Sequence, residues 1–172
     1  MKNLKKFVAL LLAGVMAMVM LTACGGAASE TPLEDNIRKA LGSNPNAEGL
    51  CDADGRVKND KSSELYKTTK TKLEGKISSS LTGTFAIDFD VDADPNKEFA
   101  TVAVYADYKI AGLVADLITA ITNKFGEIKN TNNSVKLDGP WAKVAVVVET
   151  NKKGSYAAIA IQVKNLAYKG NK

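Results

Sequence analysis

The sequence predicts an α+β protein: an antiparallel sheet of about five or six strands with one amphipathic helix packed on one face, plus a short N-terminal helix. Three observations carry this prediction. Apolar and polar side chains alternate through residues 84–92 and again through the Val- and Ala-rich runs of 141–163. Apolar side chains recur three and four residues apart through 109–125, with Gly126 behind them. Turn-forming residues, Asp94-Pro95-Asn96, Asn132-Asn133 and Asn151 to Gly154, separate the runs.

The chain opens MKNLKKFVALLLAGVMAMVMLTAC. Lys2, Lys5 and Lys6 form a basic start, an apolar run covers 7–21, and small residues precede Cys24. That is the layout of a secretory signal segment, and the run falls short of the roughly 20 residues that a membrane span needs. Leu21-Thr22-Ala23-Cys24 resembles the lipobox of bacterial lipoproteins. The resemblance covers residues 1–24 alone. It implies a signal peptide at 1–23, cleavage before Cys24, and a diacylglycerol with palmitate-like chains on the Cys24 sulfur. It further implies a cell-membrane location facing the extracytoplasmic side, in the outer membrane if the organism has one. Residues 24–30, ending GGAASE, read as a flexible tether, and 31–172 as a single domain.

Within that domain, 31–42 reads as the short helix. Thr31 is the expected N-cap, Pro32 the first helical residue, Glu34 the capping-box partner and Gly42 the stop. Leu33, Ile37 and Leu41 share one face. Residues 60–82 are ambiguous: Leu65, Leu73, Ile77 and Leu81 suit a helix, whereas the Thr-rich YKTTKTK suits a strand, so helix early and extended chain later is expected. Residues 84–92 place Phe85, Ile87, Phe89 and Val91 on one face of a half-buried strand and Ala86, Asp88, Asp90 and Asp92 on the other. Residues 99–108 return as a second strand. In 109–125, Ile110, Leu113, Val114, Leu117, Ile118, Ile121 and Phe125 form one stripe, with Asp107 as cap and Gly126 as end. Two hairpins are expected after it, one turning at Asn132-Asn133 and one at 151–154. The small Ala158 and Ala160 leave room for another element to come close.

The formal net charge of +4 includes Lys2, Lys5 and Lys6; without them 20 basic side chains stand against 19 acidic ones, a net charge near +1. With no aromatic-rich basic patch either, no nucleic-acid partner is expected. Cys51, beside Asp52 and Asp54, reads as a small, partly buried side chain, because those carboxylates disfavour a thiolate. There is no histidine, no C-x-x-C, no G-x-S-x-G and no phosphate-binding loop, so no cofactor is expected. Trp141, the single tryptophan, reads as an anchor at a turn, with a ligand platform as the alternative.

Two acidic stretches remain as candidate metal sites. Asp92, Asp94, Asn96 and Glu98 carry oxygens at alternating positions. Side chains two apart on a straight strand are roughly 6.6 Å apart, so Asp88, Asp90 and Asp92 do not reach one ion, and Asp92 to Glu98 would need a bend at Pro95. Asp52-Ala53-Asp54-Gly55-Arg56-Val57 resembles the loops of EF-hands and dockerin modules, with Leu50 in place of the first ligand and Lys61 in place of the last acid. The plainer readings are a solvated strand face, relieved by lysines on neighbouring strands, and a polar turn. The expected function is binding or scaffolding at the cell envelope, with the membrane as partner through the lipid on Cys24 and the ligand unidentified. The alternatives are a calcium-modulated surface module and a hydrolase using paired carboxylates.

Overall fold

The computed structural model describes residues 30–79, 87–107, 113–152 and 154–170. Among them, one antiparallel sheet of four strands has helices on both faces. In chain order the elements are α1 (Glu30–Gly42), a 3-10 turn (Pro45–Ala47), α2 (Glu64–Ser79), β1 (Ile87–Asp92), β2 (Phe99–Asp107), α3 (Leu113–Thr131), β3 (Leu137–Asn151) and β4 (Gly154–Asn165). The spatial order of strands is β1-β2-β4-β3, so β1 and β3 are the edges.

The α+β class holds, with four strands in place of five or six. The difference lies at Asn132-Asn133, where no hairpin forms. Residues 127–131 close α3, and β3 runs without interruption from Leu137 to Asn151. Gly126 does not end the helix, because Ile128 continues the stripe of Val114, Leu117 and Ile121 and is buried with them. Burying such a side chain is worth about 1.5–3 kcal/mol, more than the roughly 1 kcal/mol that an exposed helical glycine costs. Gly139-Pro140 lies inside β3, where the register against β4 shifts twice between Leu137 and Lys143. A strand tolerates this proline because β3 is an edge and bulged there.

α1 and α3 pack on one face. Leu33, Ile37 and Leu41 of α1 join Leu117 and Ile121 of α3 over Val102, Val104, Val146 and Ile159. α1 spans Glu30–Gly42, so Thr31 lies within its first turn. Glu34 is nearly buried and accepts hydrogen bonds from Asn59 Nδ2 (2.9 Å) and Lys61 Nζ (2.8 Å). Gly42 ends the helix where a side chain would collide with the Gly55 carbonyl.

α2 covers the opposite face, which corrects the expectation of a sheet helical on one side. The room predicted at Ala158 and Ala160 is there: with Ala103 and Ala145 they admit Leu73, flanked by Leu65, Tyr66 and Ile77. The helix continues to Ser79, so the expected change to extended chain does not occur before that point, and 80–82 lie outside the described residues. Tertiary packing outweighs the strand preference of YKTTKTK. The Thr69 hydroxyl donates to the Leu65 carbonyl at 2.6 Å, so its polar group is satisfied within the helix.

The β3 edge is occupied by a side chain. At β3, Asn59 acts as a short strand: its Nδ2 donates to the Val146 carbonyl (2.7 Å) and its Oδ1 accepts from the Val146 N–H (3.0 Å). β1 is less buried than its alternation predicts. Phe89 packs on the main core, but Ile87 and Val91 are 44% and 48% exposed. Residues 84–86, the rest of that predicted strand, lie outside the described residues, as do 108–112 ahead of α3.

Candidate functional site

A cleft of about 680 Å³ opens where the last turns of α3 meet the start of β3. Its three walls follow from the local sequence. Asn44 caps the 3-10 turn by accepting the Asn46 N–H at 2.9 Å, and Pro45 fixes the turn's first residue. That turn and Glu48 form one wall. Thr122, Phe125, Gly126 and Lys129 of α3 form the second. The third is the bulged start of β3, Leu137 to Trp141, where Gly139 has a φ of +109° that glycine adopts without strain.

Trp141 is only 5% exposed, so it is an anchor whose edge reaches the cleft rather than an open platform. Phe125, Leu137 and Val163 extend the apolar floor. The rim is polar and exposed: Asn46, Glu48, Lys129 and Asp138. Lys129 Nζ and Asp138 Oδ1 stand 3.6 Å apart, tying α3 to β3. This volume lies within the usual range for small-molecule sites, and an apolar floor with a charged rim suits an amphipathic molecule. Reading the sequence singled out Trp141 and missed Phe125, Lys129, Asp138 and Glu48. The available signal was Gly139-Pro140 directly ahead of the lone tryptophan, which marks a bulged edge but says nothing of the helix facing it.

The acidic stretches are engaged elsewhere. Asp52 Oδ1 accepts the N–H groups of Asp54 (3.0 Å) and Arg56 (2.9 Å), and its Oδ2 lies 3.2 Å from Arg38 Nη2. The backbone bond from Arg56 is the main cause that holds the Asp52 carboxyl below its ordinary value. The loop is pinched by a bridge between Cys51 and Val57, and Gly55 has a φ of +72°. Asp54 is 3.9 Å from Arg56. Cys51 is partly buried, its sulfur turned to the Gly42 and Ala47 carbonyls.

Asp92 pairs with Lys97 at 2.6 Å, and Glu98 lies 4.0 Å from Lys164. Asp94 accepts the Asn96 N–H at 2.8 Å, an ordinary Asx turn. Among the described residues no three acidic, Cys or His side chains gather as a metal site. Asp88 and Asp90 face α2, and their lysine partners come from that helix instead of the neighbouring strands. Lys76 Nζ lies 2.6 Å from Asp88 Oδ2 and 3.2 Å from Asp90 Oδ1, and Lys72 lies 3.1 Å from Asp90 Oδ2. The Lys76 hydrogen bond is the main reason the Asp88 carboxyl sits below its ordinary value. Burial opposes ionisation of Asp90, yet the Lys72 and Lys76 bonds hold its carboxyl low as well. The buried Tyr105 donates to Asp90 at 3.2 Å; burial first, and the Asp90 charge second, push its phenol upward.

Cys24 lies outside the described residues. No known family model matches this chain, and neither a curated protein nor a solved structure is significantly similar to it.

Proposed function

We propose that this protein is a lipid-anchored, extracytoplasmic binding or scaffolding module, held to the membrane by acyl chains on Cys24, with the α3–β3 cleft as its binding surface. The observation that carries the reading is the N-terminal segment itself: basic start, apolar run at 7–21 and Leu21-Thr22-Ala23-Cys24 in succession. The position of the cleft supports it. The tether enters α1 at Glu30, and the 3-10 turn lining the cleft follows the other end of that helix. At 1.5 Å per residue α1 separates the two ends by about 20 Å. The cleft then lies at the end of α1 remote from the tether. The paired carboxylates give no comparable support to calcium modulation or to hydrolysis.

The test is Cys24→Ser with fatty-acid labelling and fractionation of cells. The native chain is expected to take up label and partition with membranes, and the variant to lose the label and remain unprocessed. A variant that is processed and membrane-bound as before defeats the proposal.

A further inference from the structure

The rim of the cleft has a definite charge. Glu48 has no ion-pair partner among the described residues, and Asp138 pairs with Lys129 at 3.6 Å, so the rim carries two carboxylates and one ammonium. The Lys129 and Asp138 side chains are 56% and 66% exposed. Such an exposed pair is weak, so an incoming charge replaces it at little cost. Below the rim, Trp141, Phe125, Leu137 and Val163 present carbon surface. An anion meets excess negative charge here. A polyol needs polar partners along its whole length and finds them only at the rim. A purely apolar molecule leaves the rim charges without a partner.

We propose that the cleft takes the amino-terminal end of a short apolar peptide, its ammonium at Glu48 and Asp138 and its first side chains on the Trp141–Phe125 floor. This rests on the cleft being the ligand site. The free carboxylate of a very short peptide falls within the attraction of Lys129, while the amine carries the selectivity, because the acids outnumber the base.

The single tryptophan makes the test direct. The full-length protein in detergent is titrated with Leu-Leu-amide, N-acetyl-Leu-Leu-amide and N-acetyl-Leu-Leu while Trp141 fluorescence is followed. Leu-Leu-amide is expected to bind best, and acetylation to weaken it by about three- to fivefold for each exposed ammonium–carboxylate pairing it removes. Glu48→Gln combined with Asp138→Asn, both at exposed positions, should bring Leu-Leu-amide down to the level of its acetylated form. Equal binding of all three compounds, or a response from none, overturns the assignment. A response to cellotriose with none to the peptides overturns the peptide class and leaves the cleft as a ligand site. Fatty-acid labelling of Cys24 is read separately, so the anchor stands or falls on its own result.

Discussion

Asn59 and Asp90 make contacts that no local pattern announces. Asn59 uses one amide to bond Val146 twice and Glu34 once. Asn59→Ala leaves those groups without partners, and an unsatisfied buried polar group costs about 1–3 kcal/mol, so a urea melt should show a loss of that size. Asn59→Asp should fare no better, because a carboxylate does not donate to the Val146 carbonyl or to Glu34. Asp90, in sequence one tooth of a solvated comb, is in the fold the meeting point of Lys72, Lys76 and the Tyr105 hydroxyl. Asp90→Asn should therefore destabilise, by about 1–3 kcal/mol, instead of relieving repulsion. The acid limb follows from the same groups. The carboxyls of Asp88 and Asp90 lie below the ordinary value of 3.8 when folded. Their contribution is present above that value and is lost as pH falls through their folded values. A melting series from pH 6 to pH 2 should show a shallower acid limb in Lys76→Met than in the native protein. An unchanged limb would mean that these pairs do not couple to folding.

Among the elements, α3 was legible because seven apolar positions obey one helical stripe, and a long periodic signal survives errors at its ends. Leu117 is 1% exposed and Asn123 is exposed on the opposite side. Leu117→Ala should cost roughly 2–5 kcal/mol and Asn123→Ala about 0.5 or less, read as shifts in the urea midpoint. Equal small losses would put the stripe on the wrong face. The false hairpin at Asn132-Asn133 arose because five residues, EIKNT, are too few to distinguish a helical last turn from a strand. Ile128 belongs to the α3 stripe, but Gly126 masked the continuation. α2 was misread for a different reason. Its threonines favour strands in isolation, and only the alanine face beneath it, drawn from three separate strands, makes a helix the better choice there.

At the scale of the molecule, the β1–β2 and β3–β4 hairpins were readable and the second helical layer was not, since it depends on Leu73 meeting alanines from three strands far along the chain. The cleft shares that opacity: its walls come from three segments, and only Trp141 stood out alone. The acidic stretches teach the converse, as a conspicuous local pattern resolved into separate pairs with Arg38, Lys97 and a backbone turn. Millimolar calcium should therefore leave the melting temperature of the purified protein near its value in chelator. A site filled to a hundred times its dissociation constant would instead add about 2.7 kcal/mol. Loss of such a gain in Asp94→Asn alone would assign an ion to 92–98, and loss in Asp54→Asn alone would assign it to the earlier loop.

The amide of Asn59 has a consequence for crowding. At high local concentration copies of one protein collide often and in recurring orientations. A bare strand border under those conditions is a template for polymer growth. One side chain occupies the hydrogen-bonding groups of Val146 midway along β3, so a second strand does not pair through that point. A second sheet brought up to β3 meets a plugged ladder, so this border resists strand-by-strand growth between copies.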